Sequence, residues 1–180
     1  MEKNRIVWDV EGDGLLDTIQ NVHCITLEYI DSDNIISLYG DLLTPDTIIN
    51  CFTGATEIIC HNEIAFDIPL IKMFYGVDLI ELVGVDAIID TLLWSQCLYP
   101  DRPMPKGCPT SYKCPVTNRT KKIGPHGLEA WGYRVGHKKI EVHDWRYYSP
   151  LILERNKVDV HINKLVYFEL CKEAGIDYAL

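Results

Sequence analysis

The order of β-like and helical segments constrains the fold of this 180-residue chain more than any other feature of its sequence. Three short runs rich in β-branched and aromatic residues come first, at residues 5–10, 22–29 and 34–39, with turn-forming residues between them. Strands that follow one another closely usually pair as an antiparallel meander. Helical and β-like segments then alternate until a long final helix. We therefore expect an α/β fold around one mixed sheet.

Capping residues and apolar spacing predict the remaining elements. Thr44-Pro45 and Ser149-Pro150 each place an N-cap before a first-turn proline, which is typical of a helix start. The predicted elements are helices at 45–52, 67–75, 91–98, 126–136 and 150–174 and strands at 57–60 and 86–89. Residues 99–125 are rich in proline and basic residues and predict an irregular excursion within a single domain spanning 1–180.

Composition excludes several classes of protein. Hydrophobic residues make up 47% of the chain and charged residues 24%, which excludes disorder of the whole chain. No apolar run reaches the roughly 18 to 20 residues of a membrane-spanning helix, and no signal-peptide core follows the first residues. Seven cysteines without regular spacing fit a reducing compartment. We therefore expect no membrane partner and a cytoplasmic location.

The net charge of −9 hides a segregation of charge along the chain. Residues 102–139 hold nine basic residues and one acidic residue, a net charge of +8, whereas the other 8 basic and 25 acidic residues give −17. This pattern has two interpretations. It predicts a cationic strip beside a carboxylate-rich pocket, as a metal-dependent enzyme acting on phosphodiesters requires. It is equally typical of a solvated, lysine-rich loop.

Two carboxylates stand together at the end of the first predicted strand. Asp9 and Glu11 flank Val10, and the period of two in a strand directs both side chains to one face. Without a cation the two acids would repel each other and one would take up a proton. Mg²⁺ or Mn²⁺ with oxygen ligands removes that cost, so the pair predicts a metal site that needs further ligands.

Asp67 and Asp159 are the candidate partners of this pair. Asp67 follows an apolar strand and begins a helix, where it could instead act as a helix cap. Asp159 lies on the apolar face of the last helix, where a carboxylate is rarely buried alone. The alternative for Asp159 is a surface acid paired with Arg155, one helical turn earlier.

The order of these segments resembles the DEDD group of 3′–5′ exonucleases, also called DnaQ-like. The chain is most similar to the proofreading domain of phage family-A DNA polymerases, through the segments 9–18, 89–92 and 126–136. The resemblance covers nearly the whole chain. It implies a ribonuclease H-like fold, with a mixed five-stranded sheet flanked by helices. If the chain is phage-encoded, its expected location is the host cytoplasm.

The resemblance also implies an activity and its site. Two divalent ions, Mg²⁺ or Mn²⁺, would be held by Asp9, Glu11, Asp67 and Asp159. The substrate would be single-stranded or frayed DNA 3′ ends, and the products nucleoside 5′-monophosphates. The candidate substrate-binding residues are Gly12, Leu15, Asn62, Phe66, Tyr112, Lys121 and Lys122. Leu15 and Asn62 could equally be packing and turn residues, whereas Tyr112 stands among lysines as a candidate for base stacking.

One departure from the family pattern concerns the residue that orients the attacking water. Family members carry a tyrosine four residues before the last aspartate, where this chain has Arg155. An arginine stays protonated and cannot accept the proton of water, so Arg155 is a catalytic candidate of a different kind. Three outcomes remain open: hydroxide formed by the metal alone suffices; Arg155 holds the scissile phosphate while His143, Tyr147 or Tyr148 serves the water; or the site is slow or inactive.

We expect an active exonuclease, free-standing or acting as a proofreading subunit beside a separate DNA polymerase. Two alternatives remain. The first is a catalytically impaired module that binds single strands or a replication partner. The second is an exoribonuclease acting on short RNA, because the metal chemistry is indifferent to the 2′-hydroxyl.

Overall fold

The computed structural model describes residues 4–32, 34–113 and 120–177, and the turn residue Asp33 lies outside these ranges. A five-stranded sheet forms the centre, in the order β3-β2-β1-β4-β5. Its strands are β1 (Arg5–Gly12), β2 (Val22–Tyr29), β3 (Asn34–Tyr39), β4 (Glu57–Cys60) and β5 (Ile88–Asp90). The first three pair antiparallel, whereas β4 and β5 run parallel to β1. The predicted meander and mixed sheet are thus confirmed.

Helices cover both faces of this sheet. They are α1 (Pro45–Phe52), α2 (Asp67–Tyr75), α3 (Leu79–Val83), α4 (Thr91–Leu98), α5 (Leu128–Val135) and α6 (Pro150–Glu173). The predicted caps of α1 and α6 form, because the side chains of Thr44 and Ser149 accept the backbone N–H groups of Thr47 and Ile152 at 3.2 and 3.4 Å. Among the described residues, no helix combines the length and apolar character that a bilayer crossing requires.

The central strand β1 divides the core into two sides. Ile6, Trp8 and Val10 are buried in one cluster with residues of α1, α2 and α3. Val7 belongs to a second cluster with residues of α6. Because side chains alternate along a strand, Asp9 shares the side of Val7 and lies toward α6.

The structure differs from the predicted elements at five places. Strand β1 extends two residues further, to Gly12, and the short helix α3 was not predicted. Asp78 caps α3 by accepting two backbone N–H groups, which stabilises a helix too short to show periodicity. Strand β5 begins at Ile88 because a 3₁₀ turn occupies Val85–Ala87.

The fourth difference concerns the excursion after α4. It was expected to be irregular, but it contains an antiparallel hairpin of β6 (Ser111–Lys113) and β7 (Thr120–Lys122). The helix predicted at 126–136 is also shorter, because α5 begins only at Leu128 and ends at Gly136, which has a left-handed φ of 80°.

Candidate active site

The end of β1 carries the first two acids of the site. Asp9 and Glu11 pair with β2 up to a register shift between Glu11 and Gly12, where the strand leaves the regular ladder. Gly12 lies in contact with the following loop, because a Cβ atom there would stand 2.3 Å from Ile19 Cδ1 and 2.8 Å from the Asn21 carbonyl oxygen. Only glycine fits this close approach, which lets the chain turn directly after the acids.

Four acids from three elements converge at this point, and we call Asp9, Glu11, Asp67 and Asp159 the acid cluster. Ligand atoms of Asp9, Glu11 and Asp159 lie within 4.8 Å of one another. So do ligand atoms of Asp9, Cys60 and Asp67. Asp9 belongs to both groups, so the two candidate positions for a cation are adjacent and share Asp9 as a ligand.

Helix α6 supplies two polar side chains from its buried face. Asn156 and Asp159 are 0% and 2% exposed, and the Asn156 amide Nδ2 donates to Asp9 Oδ2 at 2.7 Å. Asp159 Oδ1 is buried without a hydrogen-bond partner. A buried carboxylate oxygen in this state needs a partner that the protein does not supply, which fits a cation ligand.

Asp67 reaches the acid cluster from the start of α2, and the preceding loop is fixed by Asp90. The carboxylate of Asp90 accepts the backbone N–H groups of Asn62 at 3.1 Å and Ile64 at 3.3 Å. It also accepts two N–H groups in the first turn of α4, at 3.0 and 3.2 Å. Asn62 has a left-handed φ of 74°, so the chain turns sharply at the end of β4 before Asp67.

Two basic residues stand against the acid cluster, and we call Lys139 and Arg155 the cation pair. Lys139 Nζ lies 2.6 Å from Asp159 Oδ2. Arg155 Nε donates to Glu11 Oε1 at 3.2 Å, and its Nη2 lies 3.6 Å from Asp159 Oδ2. The ion pair between Arg155 and Asp159, which the sequence suggested for a surface acid, therefore forms inside the site.

The electrostatics of Asp9, Glu11 and Asp67 favour protonation in the absence of metal. Burial raises the pKa of Asp9 well above its usual range, and the neighbouring acids raise it further. Burial also raises the pKa of Glu11 to about 7, against the opposing effects of Arg155 and Lys139. The pKa of Asp67 rises to about 7, mainly through burial. These shifts mean that the carboxylates need a cation to stay ionised together.

The candidate substrate-binding residues fall into two regions. Leu15 is 60% exposed and Phe66 is half-buried. Leu15 follows Glu11 closely in the chain, whereas Asn62 and Phe66 precede Asp67. Tyr112, Lys121 and Lys122 are exposed on the hairpin, where Tyr112 faces Lys121 across the strands. The structure thus keeps the aromatic ring and the lysines together.

Three residues of the site were not predicted from the sequence. Lys139 appeared only within the basic segment, with nothing to separate it from Lys138. Asn156 and Cys60 had no role assigned from the sequence. The position of Cys60 at the carboxyl end of β4, next to the end of β1, was the available signal, because parallel strands bring these ends together.

The donor set fits a divalent metal. Carboxylate oxygens are the ligands that Mg²⁺ and Mn²⁺ prefer, and they come here from buried, well-anchored elements. The Cys60 sulfur beside Asp9 and Asp67 adds a softer donor, which Mn²⁺ and Zn²⁺ tolerate better than Mg²⁺ does.

Comparison with known proteins finds relatives in sequence and in fold. No protein-family model matches the chain. The DNA-directed DNA polymerase of Escherichia phage T7 is 30% identical over 151 residues, and that of Enterobacteria phage T3 is 28% identical over 151 residues. Each match covers 77% of this chain and lies in the exonuclease region of the phage polymerase. The chain spans about a fifth of the length of these curated relatives, since each match covers 20% of the polymerase.

Solved structures support the fold. RNase D of Trypanosoma brucei is similar with a TM-score of 0.53 and 14% identity, over 93% of this chain and 57% of that chain. E. coli exonuclease I in complex with a dA16 oligonucleotide has a TM-score of 0.45 and 15% identity, over 95% of this chain and 41% of that chain. This TM-score is too low to bear on the fold.

The mixed five-stranded sheet flanked by helices and the likeness to RNase D confirm the expected ribonuclease H-like α/β fold. The sequence similarity to the phage polymerases extends over most of the chain. By sequence and by fold, the chain resembles the DnaQ-like 3′–5′ exonucleases.

Proposed function

We propose that this chain is a single-domain, metal-dependent 3′–5′ exonuclease that shortens single-stranded or frayed DNA ends and releases nucleoside 5′-monophosphates. The observation that carries the proposal is the convergence of four acids from β1, α2 and α6 on one point, with Asp9 shared between two ligand groups. Mg²⁺ or Mn²⁺ is the proposed cofactor, and the resemblance implies two ions.

The proposed reaction is hydrolysis of the last phosphodiester bond. The oxygen of a water molecule bonds to phosphorus, the bond to the 3′ oxygen breaks, and that oxygen takes up a proton while the phosphate stays on the released nucleotide. A bound divalent ion supplies a lowered pKa for the attacking water and stabilises negative charge on the leaving oxygen. The acid cluster would hold the ion in place, and Asn156 fixes the orientation of Asp9 through its hydrogen bond.

Substrate binding is assigned to residues that neighbour the acids in the chain and, separately, to residues of the hairpin. The exposed Leu15 side chain is suited to pack against the terminal base, and the backbone between Asn62 and Phe66 to lie along the frayed strand. Gly12 leaves the space beside the acids free of a side chain. On the hairpin, Tyr112 offers a ring for stacking while Lys121 and Lys122 offer charge for phosphates.

The water must be oriented without the family tyrosine. Arg155 holds Glu11 and the backbone carbonyl of Ile140, so it does not replace a proton acceptor. Tyr148 stacks on Tyr39 with ring centroids 5.4 Å apart, and Tyr147 is 75% exposed. We therefore assign the ionisation of water to the bound metal and give Arg155 a positioning role at Glu11.

A labelled-oligonucleotide assay tests the function. The protein is incubated with a 5′-labelled single-stranded DNA oligomer and Mg²⁺ or Mn²⁺. A ladder of shortened products is expected, and Asp9→Ala and Asp67→Ala should each lower its rate at least about 100-fold because a ligand is lost. The exposed Asp86→Ala is the matched control and should keep the wild-type rate. A ladder that survives both substitutions would refute the assignment.

The same assay separates DNA from RNA as substrate. Rates on DNA and RNA oligomers of identical sequence are compared under one set of conditions. The proposal expects faster degradation of DNA. Faster degradation of RNA would support the exoribonuclease instead, since the hydrolysis itself does not distinguish the two sugars.

A non-catalytic binding module is the second candidate, and one observation favours it. Arg155 stands where the family has tyrosine and forms an ion pair with Glu11, so catalysis has lost its usual water-orienting group. This candidate predicts tight binding of single-stranded DNA without any ladder, unchanged by Asp9→Ala. A role beside a separate DNA polymerase, in the cytoplasm, is proposed for either candidate.

A further inference from the structure

The cation pair lies against only one half of the acid cluster. Lys139 and Arg155 form ion pairs with Glu11 and Asp159, the two acids that share one ligand group with Asp9. In the described part of the chain, no lysine or arginine forms an ion pair with the remaining acids of the cluster. The two cation positions therefore differ in charge: Glu11 and Asp159 at one position are ion-paired with Lys139 and Arg155, whereas Asp67 at the other forms no ion pair with a lysine or arginine among the described residues.

Arg155 is held where it is by contacts outside the acid cluster. Its Nη1 donates to the backbone carbonyl oxygen of Ile140, and its guanidinium carbon lies 5.3 Å from the centroid of the Trp145 ring. Trp145 is itself fixed, because its Nε1 donates to the Val142 carbonyl at 3.1 Å and its own carbonyl oxygen contacts His23 Nε2 at 2.7 Å. These contacts hold the guanidinium beside Glu11 through groups other than the acids.

The charges of the site match one divalent ion. When all four carboxylates are ionised they carry four negative charges, and the cation pair offsets two of them. The remaining two are neutralised by a single divalent ion. A second divalent ion between Glu11 and Asp159 would stand within a few ångströms of a guanidinium and an ammonium group and would be repelled by both.

We propose that Lys139 and Arg155 take the place of one of the two metal ions, so that the free protein binds a single divalent ion on the side of Asp9 and Asp67. This inference rests on the proposed function for its assignment of the acid cluster as metal ligands. It differs from the two-ion arrangement that the family resemblance implies. It also explains the arginine at position 155, because a tyrosine there would not supply the positive charge.

Counting bound metal tests the inference directly. Mn²⁺ is titrated into chelator-treated full-length protein, and the free ion is measured by electron paramagnetic resonance. The wild-type chain is expected to bind one Mn²⁺, and the double variant Lys139→Gln/Arg155→Gln two. Lys138→Gln is the matched control, since the exposed Lys138 lies 5.4 Å over the Tyr133 ring, and it should bind one. Two ions on the wild type, or one on the double variant, would overturn the inference.

Single ligand variants locate the ion without relying on the double variant to fold. Asp67→Asn should lose the ion, whereas Glu11→Gln should keep it with an affinity within about threefold of the wild type. The reverse pattern would overturn the inference. Circular dichroism melting of both variants checks that each is folded at the temperature of the titration.

The oligonucleotide assay on the same samples separates this inference from the proposed function. One bound Mn²⁺ without a ladder of products leaves the inference standing and refutes the nuclease. A ladder of products from a protein that binds two Mn²⁺ ions supports the nuclease and refutes the inference. A wild-type chain that binds no ion refutes both.

Discussion

At the scale of single residues, Glu63 is a buried acid outside the acid cluster. It is 0% exposed, its Oε2 accepts the Trp8 Nε1–H at 3.0 Å, and its Oε1 has no hydrogen-bond partner. Burial raises the pKa of Glu63 well above its ordinary value of 4.5. The side chain is therefore protonated in the folded protein over a pH range in which the unfolded chain ionises it.

Replacing Glu63 by glutamine should stabilise the protein more as the pH rises. The wild type loses free energy of unfolding above about pH 4.5, because unfolding then releases the proton that the folded state holds. Glutamine does not titrate, and its amide oxygen can still accept from Trp8. The free energy of unfolding of Glu63→Gln should exceed that of the wild type by an amount that grows by up to about 1.4 kcal/mol per pH unit. Urea unfolding at several pH values measures this difference. A pH-independent difference between Glu63→Gln and the wild type would contradict this explanation.

At the scale of secondary-structure elements, Asp90 joins two segments that carry the site. One carboxylate at the end of β5 accepts four backbone N–H groups, two in the loop before α2 and two at the start of α4. The loop holds Asn62 and leads to Asp67. Asp90 therefore sets where Asp67 stands, although it is not itself placed among the metal ligands.

Asp90→Ala should cost about 2 kcal/mol in the free energy of unfolding, because a helix cap is lost and buried N–H groups lose their acceptor. Urea unfolding measures this loss. Mn²⁺ affinity should fall as well, since the loop no longer fixes Asp67. Asp86→Ala removes an exposed acid four residues earlier and should change neither quantity. Full metal affinity in a destabilised Asp90→Ala would show that the loop holds its position alone.

The hairpin of β6 and β7 is the element assigned to the nucleic-acid backbone. Reversing Lys121 and Lys122 to glutamate should weaken binding of single-stranded DNA and lower the slope of log affinity against log salt concentration by about 1 to 2, because fewer counterions are released. Fluorescence anisotropy at several salt concentrations measures both. Lys172→Glu, an exposed lysine at the end of α6, should leave the slope unchanged. Equal slopes for the two variants would assign the hairpin another role.

The sequence predicted those elements whose signals are local. The side-chain alternation of β1 placed Asp9 and Glu11 together, and proline after an N-cap placed the start of α6. Lys139 was beyond such reasoning, because it and Lys138 are identical neighbours in a loop. Only the packing of that loop against α6 directs one of them to Asp159 and leaves the other exposed.

At the scale of the whole molecule, the acid cluster couples metal binding, pH and stability. In the absence of metal the folded protein keeps protons on Glu11 and Asp67, whose pKa values are raised from 4.5 and 3.8 to about 7. The unfolded chain releases these protons at lower pH. The free energy of unfolding therefore falls as the pH rises from about 4 to about 7, and it stays low above pH 7, where the buried acids are ionised and repel one another.

Mn²⁺ should reverse this loss, and more strongly at high pH. Below about pH 7 a metal ion must displace protons from the acid cluster, whereas above it the carboxylates are free to bind. At one total Mn²⁺ concentration, the rise in melting temperature should be larger at about pH 8 than at about pH 6. The gain in free energy of unfolding should reach about 2.7 kcal/mol when free Mn²⁺ is 100 times Kd. Asp67→Asn should show little rise at either pH. A rise of equal size at both pH values would mean that the ion does not bind Asp67.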